Sequence, residues 1–413
     1  MSVPIVADRD LEQLAASDAV RWVRDAILAE HAGRLVAPPR VHTDVGDGRL
    51  VFTTGALVGD WFGYRSYATF GAADQLVAVQ DATSGRLRGL AVGADLGPIR
   101  VGAIGAVAAD ALAPSGASTL ALIGTGTQAW RQLWAISSVR ELSRVRVFSR
   151  TPERRKAFAQ HARTDLGLPC QVSDSAVGAV ADADMVVLAT NSSAPVVPTE
   201  ALAPNAYVTT LGPKQIGRAE FGQDLVTSAA LAVTDSVAQI GAYDPPNILA
   251  GTPHADRLVS LGAVVSGEVD RPRSGRTIFC SVGLAGTEAY LLARLLDRSP
   301  EDVRAHDDRR PVDAARSGSR PTTSGEGPHR QLDQRSTPQL WGELVDRVFR
   351  LEGVSEGASQ VSPPSSRAAF LVDMADERAP ETSLAPGRRL EPVHVHGVHD
   401  TSVHLVLPPG RGR

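Results

Sequence analysis

Between residue 118 and about residue 282, short apolar runs alternate with stretches of helical periodicity: "STLALIG", "RVRVFSR", "ADMVVLAT", "AYVTTLG" and "LAVTD" recur in that order. This is the rhythm of a doubly wound parallel sheet, and it predicts an α/β Rossmann domain over 113–282. Residues 1–112 read differently. Alternations such as "RLVFTTGAL" and "QLVAVQDATSGRLRGLAV" follow an amphipathic opening helix, which predicts an antiparallel sheet with helices packed on it. "TSG" supplies a hairpin turn, because glycine tolerates the positive φ such turns need. After the Rossmann pattern, "SVGLAGTEAYLLARLLD" reads as a helix that packs back on the first region. Residues 1–112 and 283–297 then form one discontinuous α+β domain.

From 298 to 339 large apolar residues become too few to offset the entropy of ordering the chain, so this stretch reads as a disordered linker. Past it, "LWGELVDRVFRLEGV" predicts one amphipathic helix and "SVHLVLPP" one strand, giving 340–413 a small α+β appendage.

Composition narrows the function more than the fold. A net charge of −4 over 413 residues, with both signs mixed along the chain, leaves no electrostatic footprint for nucleic acid. The start lacks a basic region followed by an apolar one, and no apolar run is long enough for a bilayer, so the expectation is a cytoplasmic protein without a membrane partner. Cys170 and Cys280 are the only cysteines and have no neighbouring ligands at metal spacing. They read as buried or incidental thiols in a reducing compartment.

The strongest local signal is "TLALIGTGTQAW", an apolar strand running into Gly124, Thr125, Gly126, Thr127, Gln128 and Ala129 at the start of a helix. Gly124 would make the tight turn, Gly126 would let backbone N–H groups approach a pyrophosphate, and Ala129 would be the small residue that lets helix and strand pack closely. A tight turn with no ligand is the plainer alternative, but the position in a repeating β/α region favours a dinucleotide. The next strand ends "VFSRTPERR". Ser149, Arg150 and Thr151, with Arg154 one turn on, offer hydroxyls and guanidinium groups where an NAD site would place a carboxylate, and so predict NADP(H).

With these residues in view, the chain resembles the ornithine cyclodeaminase and mu-crystallin family from about Pro38 to Asp297. The resemblance is carried in order by "GYRSYATF", "AVQDATSGRLRGLAVGADLGPIRVGAIGAVAADAL", "IGTGTQAWRQL", "ATNSSAPVV" and "SVGLAGTEAYLLARLLD". It implies a homodimer with a first domain for substrate and dimerisation, and hydride transfer at the α-carbon of an amino or imino acid. It adds Thr190 and Asn191 to the cofactor contacts. It also implies a basic cluster for the substrate carboxylate: Arg40 of "PPR", Arg65 where the family usually has lysine, and Arg100 of "GPIR". Guanidinium forks suit that task because they pair bidentately with carboxylates.

Lys214 of "GPKQIGRAE" is one of only two lysines in the chain, with Lys156. It stands where ornithine cyclodeaminases carry an aspartate thought to act in proton transfer, and a cation there would repel the distal ammonium of ornithine. Lys214 is therefore expected in the reaction centre, as the acid that protonates the substrate nitrogen or as an anion contact for substrate or cofactor. The resulting expectation is an NADPH-dependent oxidoreductase acting on the carbon–nitrogen bond of an imine or α-amino acid. A deaminating cyclase and a non-catalytic NADPH-binding protein are the alternatives.

Four histidines, His394, His396, His399 and His404, crowd into "EPVHVHGVHDTSVHLVLPP". His394 and His396 would share one face of a strand. No cysteine helps and the spacing matches no familiar metal site, so no metal is assigned. The stretch faintly resembles a small bacterial domain loosely labelled luciferase-family.

Overall fold

In the computed structural model the described residues are 3–70, 74–298, 338–351, 353–360, 366–371, 391, 393–395 and 403–405. The chain divides into two compact units, Met1–Ala305 and His306–Arg413.

The first unit holds two sheets. Seven strands make the N-terminal one: β1 (Ile5–Ala7), β2 (Leu35–Val36), β3 (Val41–Val45), β4 (Gly48–Leu57), β5 (Trp61–Ala68), β6 (Gln75–Asp81) and β7 (Leu87–Gly93). The order is β1-β7-β6-β5-β4-β2, with β3 also on β4. All neighbours are antiparallel except β1 and β7, which run parallel. The hairpin between β6 and β7 turns through Gly85 at φ +68°, as "TSG" predicts. The opening helix Ala16–His31 buries Ala19, Val23, Ala26 and Ile27 at helical spacing, packing on β2 of this sheet and on the helices Leu96–Leu112 and Thr287–Leu296. The helix Thr287–Leu296 lies on the same sheet, where Gly55 and Gly286 approach so closely that a Cβ on either would meet the other's backbone.

The second sheet is the Rossmann sheet. Its strands are β8 (Thr119–Ile123), β9 (Arg144–Phe148), β10 (Cys170–Val172), β11 (Met185–Leu188), β12 (Tyr207–Thr210), then, after a two-residue hairpin pair β13 (Lys214–Gln215) and β14 (Arg218–Ala219), β15 (Leu231–Thr234), β16 (Leu258–Ser260) and β17 (Thr277–Cys280). The order is β10-β9-β8-β11-β12-β17-β15-β16, every pair parallel. Its central strands are buried throughout, which is why Met185–Leu188 reads as an unbroken apolar run and the threonines of Tyr207–Thr210 and Thr277–Cys280 are buried with their apolar neighbours. The winding reverses between β8 and β11, and the carboxyl ends of a doubly wound sheet open a crevice at such a point.

The two sheets are joined by the helix Leu96–Leu112, which is buried on nearly every side. Its Gly102 and Gly105 leave no room for a Cβ beside Arg131 and Gln132 of the helix Thr127–Ile136. The element that carries Arg100 is thus packed directly on the element that follows the glycine turn.

In the second unit a helix, Pro338–Phe349, accompanies an antiparallel meander of β18 (Val354–Ala358), β19 (Arg367–Leu371), β20 (Val393–Val395) and β21 (Val403–Leu405). The helix starts two residues before the expected start of the appendage at 340, with Pro338 opening it, as suits a residue with fixed φ and no N–H to pair. Trp341 and Val345 pack on Val395. His394 is buried and its Nδ1 lies 3.0 Å from Glu391. In the strand register His394 is paired with His404. His396 and His399, and residues 299–337 of the expected linker 298–339, lie outside the described residues.

Candidate active site

The register of the parallel sheet lines up Ile123, Leu188, Thr210, Cys280 and Thr234 as neighbours across adjacent strands. The segments that leave those five ends are therefore neighbours too, since paired strands lie about 4.8 Å apart. They are Gly124–Gly126, Ala189–Asn191, Leu211–Lys214, Ser281–Gly283 and Asp235.

On the β8 side the crevice is a cleft of ≈ 580 Å³. Gly124, Thr125, Gly126, Thr127, Gln128, Ser149, Arg150, Thr151, Arg154, Thr190 and Asn191 all line it, together with Leu211 and Gly212. Ala129 does not; it is fully buried beneath the turn, in the packing position the sequence suggests. Gly124 sits at φ +124°, and a Cβ there would lie 2.1 Å from the carbonyl oxygen of Ala189. Only glycine fits. Gly126 caps the following helix with nothing within 4 Å of where its Cβ would be, so the free N–H groups of the first helical turn face open space. Gln128 Oε1 is buried there without a hydrogen-bond partner. An open cradle, free donors and an orphaned polar atom fit a dinucleotide. Ser149 Oγ donates to the carbonyl of Thr151, while Arg150 and Arg154 are exposed and in no hydrogen bond or ion pair among the described residues. No carboxylate is among the lining residues.

The floor of the cleft is held by Glu220, which the sequence reading missed. Its fully buried carboxylate accepts from Thr190 N at 2.9 Å, Thr190 Oγ1 at 2.8 Å, Leu211 N at 3.0 Å and the N–H of Gly212. One side chain thereby ties the ends of β11 and β12 together. Nothing but the acid three residues after Gly217 in "IGRAE" marks it in the sequence.

On the β17 side the three arginines gather around the segment 282–288. Arg65 and Arg100 share one acceptor: Arg65 Nη1 donates to Glu288 Oε1 at 2.7 Å, and Arg100 Nη2 donates to the same oxygen. Arg65 also donates twice to Gln75 Oε1, at 3.1 and 2.7 Å, and its guanidinium lies 4.1 Å over the Tyr67 ring. Arg100 Nε is buried with no partner. Arg40 donates to Val282 O at 2.5 Å and to Tyr243 Oη at 3.2 Å. The opposite side of that backbone is fixed by Asp235, which accepts from Val282 N at 2.7 Å and Gly283 N at 2.8 Å.

Two further acids thus belong to the cluster. Burial alone would raise the Glu288 carboxyl, but Arg100 and Arg65 overcome it and hold the group below its ordinary range. For Asp235 burial wins, and its carboxyl is pushed up despite the two N–H donors and Arg100. Neither acid could be found from pattern, because each is an isolated carboxylate in an otherwise apolar stretch.

Lys214 lies in β13, only 6 % exposed, where β12 leads into the hairpin. Its Nζ donates to Leu211 O at 3.1 Å. Among the described residues this ammonium has no carboxylate bond. The hairpin is pinned from behind by Ile248 N on Lys214 O and by the bridge from Gln215 to Asn247, in the loop that also carries Tyr243.

A Rossmann crevice and a cluster of three arginines on the segments adjoining it are thus the features of this site. The chain belongs to the ornithine cyclodeaminase/mu-crystallin family, whose model matches residues 10–299. A Delta(1)-pyrroline-2-carboxylate reductase of Bacillus cereus is 31% identical over 232 residues, 55% of this chain and 71% of that protein. The ketimine reductase mu-crystallin of Mus musculus is 27% identical over 220 residues, 53% and 67% of the two chains. Among solved structures, Delta(1)-pyrroline-2-carboxylate reductase of Thermococcus litoralis, in complex with NADH and L-proline, superposes with a TM-score of 0.65 at 21% identity. The match covers 74% of this chain and 98% of that one. No described helix is long and apolar enough to cross a membrane.

Proposed function

We propose that this protein is an NADPH-dependent oxidoreductase acting at the carbon–nitrogen bond of an α-imino or α-amino acid. The observation that carries the reading is the position of the Arg40, Arg65 and Arg100 cluster on segments adjoining the dinucleotide crevice. The curated relatives support it, since their names are those of reductases of a pyrroline carboxylate and of ketimines. When bound, a reduced nicotinamide supplies the hydride. The chain's own residues do the positioning: Glu288 and Gln75 hold the Arg65 fork, Val282 and Tyr243 hold Arg40, and the free edges of the three guanidiniums fix the substrate carboxylate so that its α-carbon faces the crevice. Glu220 keeps Leu211 and Gly212 in place on the opposite wall.

The phosphorylated cofactor is favoured by Arg150 and Arg154, two guanidiniums at the end of β9 without an ion pair among the described residues, in a cleft whose lining holds no carboxylate to repel a 2′-phosphate. Lys214 argues against a diamino substrate, because a buried ammonium that meets no carboxylate among the described residues repels a second amine. Residues 1–112 with 283–297 serve as substrate and dimerisation domain, and 113–282 as cofactor domain. A homodimer is supported by the outer side of the N-terminal sheet, where Ile5, Val36, Val41, Val58 and Phe62 are exposed. Two buried, unpaired thiols accord with the cytoplasm. Mass spectrometry of the small molecule retained by protein purified with NADP⁺ tests the reading. An α-amino or cyclic imino acid is expected, and a diamino acid in its place would overturn it.

A further inference from the structure

The arginines of the cluster rest on two different supports. Arg65 and Arg100 share Glu288, and Gln75 holds the other edge of Arg65, so both are fixed from the N-terminal sheet and its returning helix. Arg40 is fixed from the Rossmann side instead. Its backbone N–H donates to Gln239 Oε1 at 2.9 Å, and its guanidinium donates to Tyr243 Oη and Val282 O. One carboxylate can be gripped by guanidiniums of both sets only where the spacing between them is held, since small misplacements of a binding group are expensive.

Tyr67 is placed to hold that spacing. It stands two residues after Arg65 on β5, hence on the same face, and pairs in register with Gln75 on β6. The Arg65 guanidinium lies over its ring, 4.1 Å from the centre. Its side chain also hydrogen-bonds with Arg40. One aromatic side chain therefore carries the first arginine on its face and meets the second at its hydroxyl. Both contacts suit a cation, because the π face attracts a guanidinium and the phenolic oxygen accepts from one. A ring with two rotatable bonds is also a stiffer spacer than any unbranched polar side chain. Tyr67 is not among the buried side chains of the core, so filling the interior does not account for it.

Resting on the reductase reading above, we propose that Tyr67 is a positioning residue of the substrate site: it couples Arg40 to Arg65 and so joins the arginines of the two supports into a single carboxylate grip. It acts through Arg40. Its loss weakens the hold on the substrate carboxylate and leaves hydride transfer to the substrate that is held unchanged.

Steady-state kinetics of the full-length chain with NADPH test this, using Delta(1)-pyrroline-2-carboxylate and the imine formed from pyruvate and ammonium. Tyr67→Phe keeps the ring under Arg65 and loses the hydroxyl at Arg40. It should raise KM for the imine by about tenfold, the size of a hydrogen bond to a charged group, with kcat, NADPH affinity and melting temperature close to the parent's. Tyr67→Leu, which removes the ring as well, should raise KM further. In an Arg40→Met background Tyr67→Phe should add nothing, because the residue it acts through is gone. An unchanged KM in Tyr67→Phe overturns the proposal, and so does an undiminished effect of that substitution in the Arg40→Met background. A fall in kcat at constant KM also overturns it, by making the hydroxyl a proton donor. Should neither imine be reduced, the reductase reading fails by itself, and the coupling is then decided by calorimetric titration of L-proline and L-alanine with NADP⁺ present. The parent should bind at least one of them, and Tyr67→Phe should bind it about tenfold more weakly. Equal affinities, or no binding by the parent, overturn the coupling.

Discussion

Arg65 and Glu288 are 223 positions apart in sequence and 2.7 Å apart in space, Nη1 of the first donating to Oε1 of the second. The contact joins β5 of the N-terminal sheet to the helix that returns to that sheet after the Rossmann domain. Arg100 reaches the same oxygen from the buried connecting helix. One carboxylate, 1 % exposed, therefore fixes two candidate substrate ligands that come from distant parts of the chain.

Glu288→Gln should be costly for stability and for substrate together. Neutralising one partner of a buried pair typically costs ~3–5 kcal/mol, and two guanidiniums would share an amide oxygen that carries no negative charge. The expected result is a lower unfolding midpoint and a KM for the imino acid raised by about tenfold, with NADPH affinity nearly unchanged. In the parent the sign of the pH effect is fixed by Glu288 being held below 4.5 in the folded state. Its contribution is complete above 4.5 and is lost as pH falls through the lower folded value, and urea titrations on the acid side would read that loss as a falling midpoint.

The parallel sheet was legible because strands buried on both faces leave solid apolar runs, and the glycine turn because Gly124 and Gly126 follow such a run. Lys214 stood out through rarity. Glu288, Asp235 and Glu220 did not, since what makes them matter is burial against partners far along the chain. In "GTEAY" an acid in a first helical turn already has an ordinary reason to be there, the dipole of the helix. The parallel pairing of β1 with β7 was equally hidden, as three residues are too few to show a period.

Arg150→Asp should reverse the cofactor preference. Loss of a charge-assisted bond costs about 1.5–3 kcal/mol, so NADPH should weaken at least ~tenfold relative to NADH. Nucleotide fluorescence titrations with both cofactors measure it. Equal binding of the two by the unaltered chain would remove the basis for assigning NADP(H).

Both cysteines should be silent in the folded state. Burial pushes the Cys170 thiol up to about 11 and that of Cys280 to about 12, so almost no thiolate forms near neutrality. Ellman's reagent should label neither until urea is added. Above the ordinary thiol value of 9.0 the unfolded chain ionises and the folded one does not. Stability should therefore decline with rising pH through that range.

A chain ending at Arg298 should fold, dimerise and bind NADPH as the full chain does, because the family match closes at residue 299 and the first compact unit at Ala305. Size-exclusion chromatography with a cofactor titration settles the point. An insoluble or monomeric product without cofactor affinity would show that the C-terminal region is needed by the catalytic unit.

The stoichiometry of cofactor use tests the central claim most directly. Purified protein is given limiting NADPH with an excess of 2-oxo acids, mono- and dicarboxylic, and ammonium, and the amino acid formed is counted against the NADPH oxidised. A reductase of α-imino acids yields one amino acid for each NADPH consumed. Release of ammonia and a cyclic imino acid from ornithine or lysine with no net change in NADPH would contradict the account, as would tight NADPH binding with no turnover on any imine.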